Sequence, residues 1–254
     1  MILAVLQART SSKRLPGKVL LPLAGAPMLA RQIERLRRSR HIDRLIVATS
    51  ICSGDDSLAL LAGQAGVGCY RGSLDDVLDR FYQAAEPHVP SHVVRLTGDC
   101  PLADWEVIDR VIKTALEGDF DYASNTLIPT WPDGLDVEIV TFEVLRTAWR
   151  EAHKPVEREH VMPFITSQPE RFRLGSVEHD VDLSQMRWTV DEPPDYDFVS
   201  TIYETLYPTN PAFTTEDILK LVSAAPELAR INGSIARNEG LRKSEEAVSN
   251  ADQT

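Results

Sequence analysis

The chain has 254 residues, of which 43% are hydrophobic and 26% charged, and its formal net charge is −11. This length and composition are typical of one large α/β domain that buries about 70–75% of its unfolded surface. The acidity argues against a nucleic-acid partner. No apolar run approaches the roughly 20 residues of a membrane span. The three cysteines are widely spaced and form no C-x-x-C pair, so we expect a cytoplasmic protein.

The N-terminal segment predicts a buried strand followed by a basic loop. Residues 2–6 form an apolar run of strand length. Four cations follow, at Arg9, Lys13, Arg14 and Lys18. Such cations suit phosphate oxygens, although a solvated basic loop is the alternative. The Walker pattern is not matched, because Ser12 replaces its glycine and Val19 its hydroxyl residue.

The rest of the first half alternates helical and strand patterns. Helices are predicted over 28–38, 58–65, 74–85 and 104–116, with Ser73 and Asp104 as the N-caps of the last two. Strands are predicted near 45–48, 70–72 and 93–96. This alternation indicates a parallel sheet with right-handed crossovers, whose ligands gather at the carboxyl ends of the strands. The basic loop, 71–73 and 97–99 fall at such ends.

The second half is less regular. A β-rich excursion is predicted near 122–140, followed by helices over 142–152 and 157–167 and a strand over 172–177. A strand-like segment, 188–191, precedes a helix that starts at Pro193, and Thr214 opens a last helix. From Gly233 onward large apolar residues are almost absent. We therefore expect one domain over 1–232 and a disordered tail over 233–254.

Seven short stretches stand in a distinctive order. They read LQAR (6–9), RLPGK (14–18), RGSLDDVLDR (71–80), RLTGDCPL (95–102), DGLDVE (133–138), REHV (158–161) and RWTVDEP (187–193). As a set they resemble the sugar and sugar-acid cytidylyltransferases over roughly residues 1–200, most closely the spore-coat polysaccharide SpsF-type branch. The resemblance implies a GT-A-like (Rossmann-like) nucleotidyltransferase domain. Such a domain is a three-layer α/β/α structure with a mostly parallel mixed sheet.

The resemblance also implies roles for individual residues. The metal carboxylates are Asp99 and Asp191, and both follow strand-like segments, where loop capping is the alternative role. The catalytic residues are Arg9, Arg14, Lys18, Asp99 and Asp191. Nucleotide binding falls to Leu6, Gln7, Ala8, Arg9, Lys13, Arg14, Lys18, Arg71, Gly72, Ser73, Asp79, Arg80 and Thr97. Acceptor binding falls to Asp136, Glu138, Arg158, Glu159 and His160.

The implied reaction is Mg²⁺-dependent transfer of CMP from CTP to a sugar or sugar-acid acceptor, with release of pyrophosphate. It would serve surface polysaccharide or glycan precursor synthesis in a homodimer that pairs through 122–140. Two alternatives stay open. One is a GT-A glycosyltransferase with a nucleotide-sugar donor, for which Asp119-Phe120-Asp121 imitates the D-x-D metal motif. The other is a non-catalytic nucleotide-binding protein. The RLPGK run favours the cytidylyltransferase, because a departing pyrophosphate needs surrounding cations.

Overall fold

A seven-stranded sheet forms the centre of the protein, in the order β5-β4-β1-β6-β8-β7-β9, and β2 pairs with β3 separately. The computed structural model describes residues 1–235. The strands are β1 (Ile2–Gln7), β2 (Pro22–Leu23), β3 (Ala26–Pro27), β4 (Arg44–Ser50), β5 (Gly68–Gly72), β6 (His92–Thr97), β7 (Tyr122–Ser124), β8 (Glu138–Thr141) and β9 (Leu174–Ser176). The α-helices are α1 (Met28–Leu36), α2 (Asp56–Gln64), α3 (Val77–Ala85), α4 (Trp105–Glu117), α5 (Phe142–Glu151), α6 (Pro155–His160), α7 (Pro163–Thr166), α8 (Pro193–Leu206) and α9 (Thr215–Ala224).

Strand direction confirms the predicted mixed sheet. The pairs β4–β5, β1–β4, β1–β6 and β7–β9 are parallel, and β8 runs antiparallel to both of its neighbours. Parallel strands are joined by helical crossovers that cover the faces of a sheet, so their sequences are apolar on both sides. The first strand illustrates this, since Ile2 to Leu6 are all buried.

Two apolar layers cover the two faces of the sheet. Alternate residues of β1 point into different layers, with Ala4 and Leu6 in one and Leu3 and Val5 in the other. The first layer includes side chains of α1, α2, α4, α8 and α9, and the second those of α3, α5 and α7. The predicted three-layer α/β/α architecture is therefore confirmed. No helix within residues 1–235 is both long and apolar enough to cross a membrane.

The start of α3 differs from the prediction. Ser73 does not cap this helix, which begins at Val77 instead of position 74. Asp76 is the N-cap, and its carboxylate accepts the Asp79 N–H at 2.9 Å. The Ser73 hydroxyl accepts the Asp76 N–H at 3.0 Å. Two potential capping residues thus lie three positions apart. Asp76 caps the helix, and Ser73 closes the turn that precedes it.

Two other predicted elements are also wrong. The helix over 157–167 is divided into α6 and α7, because Val161 has a φ of +74° and Pro163 cannot continue the first helix. The segment 188–191 forms no strand. Its Val190 N–H donates to the Asp99 carbonyl at 2.8 Å, so backbone contacts hold it extended beside the end of β6.

The excursion near 122–140 and the chain end pack partly against the domain. Residues 125–137 link β7 to β8, and Trp131 within them is buried, its indole N–H donating to the Val177 carbonyl at 2.9 Å. Asn232 is also buried, and Gly233 to Ile235 follow as a turn and a bend. Residues 236–254 of the predicted tail lie outside the described residues.

Candidate active site

The basic loop after β1 is closed at its base. The Gly17 N–H donates to the Thr10 carbonyl over 2.9 Å, and Gly17 has a φ of +69°, which glycine adopts without a Cβ penalty. Lys18 follows directly, so its side chain leaves the base of the loop rather than its tip. Lys18 is buried as a result, whereas Arg9 and Lys13 are exposed.

Asp55, on the turn before α2, anchors this loop to the neighbouring strand. Its carboxylate accepts the Thr10 N–H at 2.8 Å, the Thr10 hydroxyl at 2.7 Å, and both the N–H and the hydroxyl of Ser50. Burial acts to raise the pKa of Asp55, but these hydrogen bonds outweigh it and the pKa lies below its usual value. The sequence does not predict this anchor, because the contact joins residues 45 positions apart.

Lys18, Asp99 and Asp191 converge. The Lys18 ammonium lies 2.7 Å from Asp191 Oδ1, 3.3 Å from Asp99 Oδ2 and 2.7 Å from the Val190 carbonyl. The carbonyl end of β6 supplies Asp99, and the extended segment before α8 supplies Asp191. Two carboxylates 92 positions apart in sequence thus share one cation, although only Asp99 follows a strand. The alternative of a solvated basic loop does not hold for Lys18, whose side chain is 9% exposed.

This arrangement shifts the protonation equilibria of both partners. Burial acts to lower the pKa of Lys18, but Asp99 and Asp191 outweigh it and raise that pKa above its usual value. Burial acts to raise the pKa of Asp99, yet the Lys18 charge and the Thr97 hydroxyl lower it to about 2. At neutral pH the site therefore holds the Lys18 ammonium and the ionised Asp99 carboxylate.

Arg14 and Arg187 hold the other oxygen of Asp191. The Arg14 guanidinium lies 2.8 Å from Asp191 Oδ2 and 3.6 Å from Glu192, and Arg187 Nη2 lies 3.4 Å from the same Oδ2. Asp195 Oδ2 accepts the Asp191 N–H at 3.0 Å. Both the backbone and the side chain of Asp191 are therefore fixed in place.

Arg187 is the buried centre of this support. It pairs with Asp133 at 3.0 Å and with Asp195 at 2.8 Å, and Asn232 donates to its carbonyl and to Asp195. The sequence does not assign Arg187 a role, although it opens the RWTVDEP stretch. The burial of Arg187 has no local signature in the sequence, because its partners come from three separate segments.

The donor set around Lys18 fits a hard divalent cation. Two carboxylate oxygens and one carbonyl already surround a cationic centre. Mg²⁺ prefers oxygen ligands and uses one or two carboxylates together with phosphate oxygens and water. No cluster of three or more His, Cys, Asp or Glu that could hold a metal occurs within residues 1–235. Two carboxylates and one carbonyl fit a cation whose remaining ligands are phosphate oxygens and water.

Several predicted nucleotide-binding residues are engaged with the scaffold. Arg71 donates to the Ser50 and Cys52 carbonyls, and the buried Arg80 donates to the Ser73 carbonyl. Burial, with help from the nearby Arg9, lowers the pKa of Arg80 to about 10. Four more residues of the predicted nucleotide-binding set also belong to the scaffold. Asp79 accepts the Trp149 indole N–H at 2.9 Å, Leu6 and Ala8 are buried in the core, and Gly72 ends β5.

A cavity of about 490 Å³ lies beside this charged cleft. The ends of β1 and β6, the loop before α3, and α6 form its walls. Three of the five predicted acceptor residues line it, whereas Asp136 and Glu138 are not among the described residues that do so. The polar side chains that line it are Gln7, Arg9, Asp75, Asp76, Arg95, Arg158, Glu159 and His160.

Ion pairs pre-position two arginines of this cavity. Arg158 binds the Asp76 carboxylate through Nε at 3.0 Å and Nη2 at 2.6 Å, which is a bidentate pair. Arg95 pairs with Glu138, whose other oxygen accepts the Tyr122 hydroxyl at 2.7 Å. Glu138 therefore supports the cavity from behind instead of lining it.

Gln7 and Arg95 form the floor of the cavity on adjacent strands. Gln7 pairs in register with Thr97, and Arg95 with Val5, so both side chains lie on the same face as diagonal neighbours. Gln7 Oε1 and Arg95 Nε are buried and have no hydrogen-bond partner among the described residues. An unpaired buried acceptor next to an unpaired donor is complementary to a hydroxylated ligand. Arg95 was not predicted as a site residue, since mid-strand positions usually serve packing.

A second cavity, of about 570 Å³, lies at the opposite end of β4 and β5. None of the predicted site residues lines it. The D-x-D-like sequence at 119–121 also lies away from the cleft. It precedes β7, and Asp119 forms an ion pair with Arg173 at 2.8 Å. The candidate site therefore lies at the carboxyl edge of the sheet.

A mostly parallel α/β sheet with a basic loop, paired carboxylates and a polar cavity at its carboxyl edge defines the nucleotidyltransferase class of α/β enzyme. The chain matches the family model described as cytidylyltransferase over residues 3–221, and it belongs to this family. The predictions of family, fold and enzyme class are thereby confirmed.

Three relatives give the extent of the similarity. The spore coat polysaccharide biosynthesis protein SpsF of Bacillus subtilis is 33% identical over 235 residues, which are 90% of this chain and 96% of SpsF. A 3-deoxy-manno-octulosonate cytidylyltransferase of Anaeromyxobacter is 35% identical over 147 residues, 55% of this chain and 58% of that protein. A solved cytidylyltransferase from Leptospira borgpetersenii superimposes with a TM-score of 0.85 at 30% identity, covering 90% of this chain and 96% of that one.

Proposed function

We propose that the protein is a Mg²⁺-dependent cytidylyltransferase that transfers CMP from CTP to a hydroxyl of a sugar or sugar-acid acceptor. The acceptor oxygen forms a bond to the α-phosphorus, the bond from that phosphorus to the bridging oxygen of the β-phosphate breaks, and pyrophosphate leaves. The acceptor hydroxyl gives up its proton to solvent. The observation that carries the proposal is the convergence of Lys18, Asp99 and Asp191 at the same edge of the sheet as the cavity.

Each part of the site supports one requirement of this reaction. Asp99 and Asp191 would hold Mg²⁺, which when bound would neutralise phosphate charge and polarise the P–O bond. Arg9, Lys13, Arg14 and Lys18 offer cations to the triphosphate, and preorganised charges of this kind stabilise a departing pyrophosphate. The cavity floor would orient the acceptor for in-line attack, through Arg95 and through Gln7, which the family resemblance assigns to the nucleotide instead.

The sugar-type acceptor and the pathway rest on relatives. SpsF is named for spore coat polysaccharide biosynthesis, and the Anaeromyxobacter relative is named for a sugar acid. We extend both to this chain, with synthesis of a surface polysaccharide or glycan precursor as its role. A homodimer through 122–140 and a cytoplasmic location belong to the same proposal. Light scattering in solution tests the homodimer.

One experiment tests the reaction. Purified protein is incubated with Mg²⁺ and each of the four NTPs, with and without a panel of sugars and sugar acids, and pyrophosphate release is followed. We expect release only with CTP and one acceptor class, and a CMP-linked product by mass spectrometry. Transfer of sugar from a nucleotide-sugar donor instead would favour the glycosyltransferase alternative. An Asp99→Asn variant that keeps full activity would contradict the proposed site.

A further inference from the structure

The Lys18 side chain is held as a cation would be held. Its ammonium contacts one oxygen from each of Asp99 and Asp191, at 3.3 Å and 2.7 Å, together with the Val190 carbonyl at 2.7 Å. The side chain is 9% exposed. Few lysines are this enclosed, because an ammonium is strongly hydrated and loses that hydration on burial.

A divalent cation and this ammonium cannot use the same oxygens together. Mg²⁺ binds its ligands at about 2.0–2.1 Å in an octahedral arrangement. The ammonium already takes the space that Asp99 Oδ2 and Asp191 Oδ1 enclose, and the two cations would repel each other at close range. The remaining oxygen of Asp191 contacts Arg14 at 2.8 Å and Arg187 at 3.4 Å. Asp191 thus offers no oxygen that is free of a cation.

We propose that Lys18 is the resident counter-ion of Asp99 and Asp191 in the nucleotide-free protein and that it exchanges places with the divalent cation. This rests on the proposed Mg²⁺ site. When the metal and the triphosphate arrive together, Lys18 leaves the carboxylates and turns to the phosphates. The exchange keeps two adjacent carboxylates neutralised at every stage, which avoids a repulsive metal-free intermediate.

The loop geometry is suited to such an exchange. The backbone at Lys18 is fixed, since Gly17 N–H donates to the Thr10 carbonyl and the Leu20 N–H donates to the Gly17 carbonyl at 2.8 Å. Only the four-carbon stem of the lysine has to move. Arg9 and Lys13 are exposed in the same loop, and their side chains have no hydrogen bond or ion pair within residues 1–235. They can receive the triphosphate before Lys18 is released.

The exchange predicts an unusual sign for a substitution. Lys18→Met removes the competing charge at similar length, so the variant should bind a metal ion more tightly in the absence of nucleotide. Titration with Mn²⁺ alone, followed by electron paramagnetic resonance of the free ion, measures this. We expect the affinity of Lys18→Met to be at least about tenfold above wild type, as removal of one adjacent unit charge implies.

Two controls make the result specific. Lys13→Met removes the same charge from the same loop without a contact to either carboxylate, and its Mn²⁺ affinity should match wild type. Lys18→Met combined with Asp191→Asn should lose the gain. Equal or weaker Mn²⁺ binding by Lys18→Met than by wild type would overturn the exchange.

Stability provides a second measurement of the same competition. Mn²⁺ should raise the melting temperature of Lys18→Met more than that of wild type. If Lys18→Met does not fold without metal, its refolding yield across a Mn²⁺ series replaces the titration. A yield that rises with Mn²⁺ in this variant supports the exchange, and a yield indifferent to Mn²⁺ overturns it.

Failure of this exchange can be told apart from failure of the proposed function. Wild type with CTP should bind Mn²⁺ in a manner that Asp191→Asn abolishes. If that binding is present while Lys18→Met shows no gain, only the exchange is wrong. If that binding is absent, the metal site of the proposed function is wrong as well.

Discussion

The two halves of the cleft are built in different ways. The half around Lys18 takes its cations from one continuous loop, and two of them, Lys18 and Arg14, pair with Asp191. The cavity half takes Gln7, Arg95 and Arg158 from three separate elements, and acids that lie behind or beside them hold the arginines in place. The first half therefore suits the exchange proposed above, whereas ion pairs fix the shape of the second half.

The largest expected loss of turnover follows from changes in the half of the cleft around Lys18. Asp99→Asn and Asp191→Asn should each lower turnover by about 10³-fold, because a neutral amide oxygen is a poor ligand for a hard cation. Pyrophosphate release at saturating CTP and acceptor measures this. Raising Mg²⁺ should restore little activity. Recovery to near wild-type turnover at high Mg²⁺ would show that neither carboxylate is a principal ligand.

A slightly smaller loss is expected for the loop cations. Lys18→Ala and Arg14→Ala should each reduce turnover by roughly 10²–10³-fold, as expected for loss of one preorganised charge-stabilising group. Lys113→Ala, on the exposed face of α4, is the matched control and should stay within about twofold. If Lys18→Ala keeps control-level turnover, the triphosphate does not bind this loop.

The cavity half should respond through acceptor binding instead of turnover. Gln7→Met keeps the size of the side chain but removes the unpaired Oε1 acceptor. It should raise the acceptor KM by about tenfold, equivalent to one hydrogen bond, with the KM for CTP little changed. A larger change for CTP than for the acceptor would assign this floor to the nucleotide.

The anchor of the loop should appear in stability and in its pH dependence. Asp55→Asn should lower the free energy of unfolding by about 1–3 kcal/mol at pH 7, because buried donors lose their carboxylate partner. The pKa of Asp55 is lower in the folded protein, so its stabilisation is present above its unfolded pKa of about 3.9 and is lost as pH falls through the folded value. In urea unfolding, the difference in free energy of unfolding between wild type and Asp55→Asn should shrink below about pH 4. An advantage that stays constant down to pH 2.5 would contradict the lowered pKa.

The smallest effect is expected far from both halves. Deleting 236–254 should leave melting temperature and activity within error, because this stretch offers few large apolar side chains to bury. The cut has to follow Ile235, since Asn232 donates to Asp195 at 3.0 Å and to the Arg187 carbonyl at 2.9 Å. A melting temperature several degrees lower after deletion of 236–254 would contradict this prediction.

The sequence alone determines the parts of this protein that depend on local order. Apolar runs such as Ile2 to Leu6 specify buried parallel strands, the alternation with helices specifies the crossovers, and strand ends place the basic loop, Asp99 and the 71–73 turn on one edge. The seven stretches then specify the family. Each of these signals is contained within a few consecutive residues or in their order along the chain.

The tertiary structure decides which charges meet. Lys18 lies between two carboxylates, Arg95 pairs with Glu138, and Arg187 is buried among acids. The sequence around each of these side chains does not distinguish it from a solvated lysine or arginine. Their partners stand between 4 and 173 positions away in sequence. Burial and pairing of a charge depend on the desolvation of both partners together, and only the packed fold brings those partners into contact.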